Sequence, residues 1–487
     1  MSRTVRSIVS DMRAREVRRR AGAGATNGTD PRRMREHNRR VVLNRVREHG
    51  PITRVAIAQQ TGLSRTTVSS IIEALLHEGL VREGDTLSAT AAGGRRAILV
   101  HFNAAAGYIL GVDMGRTHLT LLLTDLAAQI VGRRSGPFRI DQGPDAGLAQ
   151  LVLELNGFLA EQGGDWSQVV GIGLGISAPL DASVQQLVSP PGMPGWNGVD
   201  VRRALKQQLG VPIYVDNDAN MGALGESRYG AGRGISDLAY IKIGTGIGGA
   251  LVIGGQVYRG SRGSAGEIGH MTMDEQGPLC ACGNRGCLEA VASADAIVAD
   301  ALAESASRRL APPSDAVPDP PGPPGAPAHL DIAEVVRAAQ WGDPASQAAL
   351  ERAGKHVGVA LAGLVNLTNP SLILVDGGVA RAGDRLLDPI RRAVAARSLA
   401  VASQHVRIAV GELRENAIAF GGVAMVTDAA FEVSGALSTR QTAPTTGMPT
   451  DAPRLSETGA SQKSVPGPRT ARAARDPPAA DRIGRPP

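Results

Sequence analysis

The sequence predicts an α/β protein in which a small, basic helical module precedes a larger body of alternating strands and helices. Three observations carry this reading. The chain has 487 residues, enough for two or three domains with a sizeable core. Glycine is abundant at 61 residues while aromatics make up only 3%, which suits strands and helices joined by tight loops better than an aromatic-cored bundle. From Gly107 to about Val426, short apolar runs with strand character alternate with helical periodicity.

Charge divides the chain in the same place. The net charge is +6, yet residues 1–100 carry 19 Arg and no Lys against nine acidic residues, and the remainder is mildly acidic. A basic module on an acidic body points to a polyanionic partner for the first part only. Ten of those arginines lie between Arg3 and Arg35, in a stretch of Arg, Gly, Ala, Ser and Thr with little periodicity. Residues 1–35 are therefore expected to be a disordered basic N-terminus. No apolar run reaches the ~18 residues of a membrane span, and the N-terminus lacks the apolar core of a secretory signal. The chain thus reads as cytoplasmic, with no membrane partner.

Residues 36–102 carry the sharpest local pattern. A short helix is expected from Thr53 to Gln60, followed by Thr61-Gly62-Leu63, where glycine suits the turn between two crossed helices. Ser64 stands at the N-cap position of a longer helix. On it Val68, Ile71, Ile72, Leu75 and Leu76 form one apolar face, opposite Arg65, Thr66, Thr67, Ser69 and Ser70. Short polar side chains beside an arginine suit phosphate and base-edge contacts in a major groove. Leu80-Val81-Arg82 and Arg95-Arg96-Ala97-Ile98-Leu99-Val100 then read as the strands of a wing hairpin bearing Arg95 and Arg96. Turn, cap and basic wing together predict a winged helix-turn-helix that binds double-stranded DNA. A small bundle with a merely solvated polar face is the plainer alternative.

In the body, every cysteine of the chain falls within Cys280-Ala-Cys282-Gly-Asn-Arg-Gly-Cys287, with His270 ten positions upstream. Such clustering in a cytoplasmic protein favours metal over disulfide. Three thiolates and an imidazole make a closed tetrahedral Zn2+ site, structural because no position is left open. Upstream, the apolar strand Tyr214-Val215-Asp216 ends in Asn217-Asp218, where α/β folds place reacting groups. Asp218 can accept a hydroxyl proton and Asn217 can hold a neighbouring hydroxyl. Glu267, three residues before His270, and Glu289, two after Cys287, add carboxylates of the kind polyhydroxy ligands need. Two glycine-rich turns resemble phosphate loops, with an ordinary hairpin as the plainer reading of each: Gly111-Val-Asp113-Met-Gly115-Arg116-Thr117 and Gly244-Thr245-Gly246-Ile-Gly248-Gly249. A third glycine pair, Gly377-Gly378, ends the strand Leu372 to Asp376.

The succession Asp-x-Gly-x-Thr, Asn-Asp-x-Asn, Gly-Thr-Gly-x-Gly-Gly, Glu-x-Gly-His, Cys-x-Cys-Gly-x-x-Gly-Cys-x-Glu and Asp-Gly-Gly resembles the ROK family of sugar kinases and sugar-responsive repressors. The resemblance covers about residues 36–428. It implies a two-lobed, actin-like ATPase (ribonuclease-H-like) sugar-kinase domain over residues 105–428. It also implies a sugar or sugar-phosphate site lined by Asn217, Asp218, Glu267, His270 and Glu289. Asp113, Gly115, Thr117, Gly244, Thr245, Gly246 and Gly248 would face ATP phosphates and Mg2+, and Asp218 would be the general base if the chain is a kinase. The chain departs from the family kinases at Arg116 and His118, where they read Gly and Lys.

Two readings follow. One is a sugar-responsive DNA-binding regulator, by default a repressor of carbohydrate-metabolism genes, acting as a homodimer. The other is an ATP-dependent sugar kinase. A Pro-rich insertion at 311–328 is expected to loop from the body, and residues 431–487 to form a disordered tail.

Overall fold

The computed structural model describes residues 2–20, 31–87, 97–181, 184–310 and 330–431. The Pro-rich insertion and the chain beyond residue 431 lie outside the described residues. The N-terminus departs from the expected disorder over 1–35. Arg3–Arg20 form helix α1 and Pro31–His49 form α2. Among the arginines, Val5, Ile8, Val9 and Met12 recur at helical spacing, and all four are at most 3% exposed. Polar side chains anchor the same helix: Ser7 Oγ donates to Glu78 Oε2 at 2.8 Å, and Asp11 accepts from Arg39 at 2.9 Å.

The module continues through β1 (Ile52–Thr53), α3 (Arg54–Thr61), α4 (Arg65–Glu78), β2 (Val81–Leu87) and β3 (Ala97–Phe102). Thr53 is the cap of α3 rather than its first turn, its side chain accepting from Ala56 N. Gly62, at φ 72°, opens the turn that glycine alone adopts without strain. Ser64 Oγ accepts from Thr67 N at 3.1 Å and starts α4. Val68, Ile72 and Leu75 are fully buried, and β2 and β3 pair antiparallel as the stem of a wing.

The first lobe of the body holds β4 (Tyr108–Met114), β5 (His118–Asp125), β6 (Ile130–Pro137), α5 (Pro144–Glu161), β7 (Val169–Ile176), β8 (Leu180–Asp181), β9 (Gln186–Leu187), α6 (Val201–Leu209) and β10 (Ile213–Asn217). Its sheet runs β10-β7-β4-β5-β6, parallel from β10 to β4 and antiparallel beyond. Helix α7 (Asp218–Tyr229) leads to the second lobe. There follow β11 (Leu238–Ile243), β12 (Ile247–Ile253), β13 (Gln256–Tyr258), α8 (Leu288–Ala292), α9 (Ala294–Leu310), α10 (Ile332–Gln340), α11 (Pro344–Thr368), β14 (Leu372–Asp376), α12 (Asp384–Arg397), α13 (Ala400–Ser403) and β15 (Arg407–Val410). The second sheet, β13-β12-β11-β14-β15, repeats the pattern of the first. This doubled strand order is the two-lobed, actin-like architecture.

Helix α14 (Ala417–Phe431) returns across β4 and β7 and packs along α7. The approach is backbone-close: a Cβ on Gly173 would lie 2.1 Å from Gly422 O, and one on Gly225 2.1 Å from Ala417 O. Phe431, expected to begin the tail, is instead the last residue of α14 and 2% exposed. It meets Phe102 edge-on at 6.0 Å, carries the Arg47 guanidinium 5.3 Å above its ring, and its carbonyl accepts from Asn44 Nδ2 at 2.9 Å. One apolar core thus runs from α1 and the module through Ile109, Leu122 and Val170 to Val423 and Val426.

Candidate functional site

Strand ends and turns of both lobes converge on a cleft of about 610 Å³. Asn217, Asp218, Glu267, His270 and Glu289, scattered over 73 residues of sequence, all line it. Asn217 ends β10 and caps α7, its carbonyl oxygen accepting from Ala219 N at 2.9 Å while its amide donates to Ala178 O at 3.3 Å. Asp218 Oδ2 accepts from Ser177 Oγ at 2.5 Å and from Lys242 Nζ at 2.7 Å, and its Oδ1 accepts from Ala219 N at 2.8 Å. Glu289 Oε2 accepts from Ile247 N at 2.8 Å, tying α8 to the turn before β12. Burial pushes the Glu267 carboxyl above its ordinary range, with neighbouring Asp218 and Glu289 adding to the effect against His270.

Beside the cleft, the ligand atoms of His270, Cys280, Cys282 and Cys287 all lie within 4.8 Å of one another. Cys280 Sγ is 3.7 Å from His270 Nδ1, and Cys282 Sγ is 3.7 Å from Cys287 Sγ. Zinc–sulfur bonds of about 2.3 Å in a tetrahedron place sulfurs about 3.8 Å apart, so the donor set fits such an ion. The intervening turn needs Gly286: at φ 61°, a Cβ there would lie 1.6 Å from Asp274 O. Nδ1 lies toward Cys280, and His270 also lines the cleft.

Of the residues expected to face nucleotide, Asp113, Thr117, Gly244, Thr245, Gly246 and Gly248 line the cleft. The first glycine-rich run is mostly strand. Gly111 to Met114 lie within β4, and Gly115 accommodates the His118 ring, where a Cβ would be 2.2 Å from Cε1. His118 Nε2 lies 3.0 Å from Asp113 Oδ2. Arg116 crosses to the second turn, its Nη2 donating to Thr245 O at 2.5 Å. Two residues escaped the sequence reading: Lys242 and Tyr240. Lys242 had one visible signal, a single charge in the apolar strand LAYIKI just before a glycine turn.

On the module, Arg65, Thr66 and Ser70 are exposed along α4 while Thr67 and Ser69 are half-buried. Thr66 and Thr67 each place Oγ1 2.8 Å from Ser64 Oγ. Arg95 and Arg96 lie outside the described residues.

The model of the ROK family matches residues 109–429. The chain belongs to the ROK family. A winged helix-turn-helix DNA-binding model matches residues 35–82. The xylose repressor of Bacillus subtilis is 28% identical over 81% of this chain and 96% of its own length. Among solved structures, a ROK family transcriptional regulator, homolog of the E. coli MLC protein, aligns at TM-score 0.68 and 25% identity over 82% of this chain and 97% of its own. A ROK family glucokinase from Streptomyces griseus, in complex with glucose and AMPPNP, aligns at TM-score 0.57 and 27% identity over 66% of this chain and 99% of its own. The repressor and the regulator cover 81% and 82% of this chain, whereas the kinase covers 66%. Among the described residues no helix is long and apolar enough to cross a membrane.

Proposed function

We propose that this ROK protein is a sugar-responsive DNA-binding transcriptional regulator, a repressor of carbohydrate-metabolism genes. The observation that carries this reading is the continuous packing from cleft to DNA module. Asn217 and Asp218 begin α7, α7 packs along α14, Ile418 of α14 lines the cleft, and Phe431 at its far end packs on Phe102 and Arg47. A sugar held by Asn217, Asp218, Glu267, His270 and Glu289 bears on one end of that helix pair and the DNA module on the other. Such a ligand controls DNA binding only through different affinities for the two arrangements.

Structural Zn2+ held by His270, Cys280, Cys282 and Cys287 would supply a fixed anchor for the imidazole that faces the sugar. Arg65, Thr66, Thr67, Ser69, Ser70, Arg95 and Arg96 are the proposed DNA contacts, and a homodimer would set two such helices on successive major-groove faces of an operator. The position of Asp218 keeps a sugar-kinase reading in view. Against it, Asp218 is already engaged by Lys242 and Ser177, and Arg116 spans the glycine turns.

The test is a DNA-binding shift on the DNA upstream of the protein's own gene, with zinc-loaded protein and a panel of common sugars. A salt-sensitive, sequence-specific complex that one sugar dissolves is expected. Absence of any specific complex, together with sugar-dependent ATP turnover lost in D218N, would favour the kinase.

A further inference from the structure

A phosphoryl-transfer cleft needs free backbone N–H groups for phosphate and free carboxylates for a divalent cation. In this cleft several of these groups are committed to partners within the chain. Gly115 N donates to His118 O at 3.0 Å, Gly244 N to Gly246 O at 2.9 Å, Ile247 N to Glu289 Oε2 at 2.8 Å and Gly377 N to Asp376 Oδ1 at 2.7 Å. Arg116 joins the turn after β4 to the turn after β11, with Nη2 on Thr245 O at 2.5 Å and Nε on Thr245 Oγ1 at 3.3 Å. The guanidinium lies over the second turn, 3.6 Å from where a Cβ on Gly246 would stand.

The carboxylates tell the same story. Lys242 Nζ rests 2.7 Å from Asp218 Oδ2, its side chain only 15% exposed. Asp376 stands opposite Lys242 in the register of β11 and β14, Asp113 lines the same cleft, and both charges join Asp218 in holding the ammonium against burial. Asp113 gives Oδ2 to His118, while its Oδ1 is buried without a hydrogen-bond partner among the described residues. A dication placed among these acids would meet an ammonium already there. The residues present do not fit Mg2+ with a nucleotide.

We propose that Lys242 is the resident cation of the cleft, standing among Asp113, Asp218 and Asp376 where a phosphoryl-transfer enzyme would hold a divalent metal, and that Arg116 latches the two glycine turns, so that the sugar-facing carboxylate is ordered without nucleotide. Lys242 is then a positioning residue. It fixes Asp218 Oδ2 toward β11 and neutralises part of the acid cluster, and the sugar half of the cleft is set before any ligand arrives. The short lysine head occupies the metal's place, and the longer arginine bridges the gap that phosphates would span.

The test uses the zinc-loaded full-length chain and two probes, Mn2+ and MgADP, by equilibrium dialysis without sugar. Its outcome is therefore independent of whether the protein answers to a sugar. Wild type and K242R are expected to bind neither probe with a Kd below about 1 mM. K242S is expected to gain one Mn2+ site, at least about tenfold tighter than any in wild type, and to lose it again when D113N is added. Mere loosening of the fold would not create a metal site that depends on Asp113. If K242S fails to fold, K242Q takes its place, removing the charge while keeping a hydrogen bond to Asp218. Submillimolar binding of either probe to wild type, or a folded neutral variant that gains no Mn2+, overturns the proposal.

Discussion

Asp376 ends β14 with its carboxylate 5% exposed, accepting from Tyr240 Oη at 3.0 Å and Gly377 N at 2.7 Å. Burial pushes this carboxyl up to about 6, and nearby Glu226 adds to the rise, while the Gly377 N–H, the Tyr240 hydroxyl and Lys242 hold it down. The folded-state value lies above that of an unfolded carboxyl, so folding favours the protonated form. The stability this group contributes is full below about pH 4 and is lost as pH rises through about 6. Asp376→Asn should therefore be more stable than wild type at pH 7.5 by up to about 3 kcal/mol, with the gain vanishing near pH 4. Urea denaturation at both pH values checks this; a gain of equal size at both would remove burial of the charge as its cause. At this scale the grouping of His270 with the three cysteines was legible, because the cysteines sit within eight residues. Lys242 was not, since its partners come from strands and turns far along the chain.

Among elements, the start and the apolar face of α4 were read from the sequence, because cap and apolar stripe are local signals. Its first turn separates stability from recognition. Ser64→Ala removes the oxygen that accepts from Thr67 N and is expected to cost about 1 kcal/mol of stability. Arg65→Ala touches no cap and is expected to leave stability unchanged while weakening specific DNA binding by about 1–3 kcal/mol if the side chain reads a base. Thermal melts and DNA titrations of the two variants should show opposite patterns; equal loss of melting temperature in both would break the distinction. Helix α1 was missed because its charge density masked a stripe of four apolar residues. Composition averages over the helix surface, whereas burial depends on one face. The first glycine-rich run, expected as a turn, begins as strand: Gly111 sits in β4 to admit α14, where a Cβ would come 2.0 Å from Ala419 O.

Across the whole molecule, module and body share one core, so they should unfold together. Phe431 is the keystone of that junction, in contact with Phe102 and Arg47 and fully packed. Truncating it to alanine should cost about 3–5 kcal/mol. In calorimetry wild type is expected to show one transition and Phe431→Ala two, with the module melting first. Two transitions already in wild type would show that the shared core does not couple the halves.

The sequence by itself determined what is local or compositional: the winged module, the alternating body, the zinc-type ligand cluster and the order of family motifs. Each depends on spacing within one helix, strand or turn, where neighbours in sequence are neighbours in space. The tertiary structure alone decided how distant groups meet. It set α1 and Phe431 into a core common to module and body, and it brought Lys242 to Asp218 and Arg116 to Thr245. The physical reason is that burial and charge pairing act through space. A lysine in an apolar strand or an arginine in a glycine turn acquires its role only when two lobes close around it.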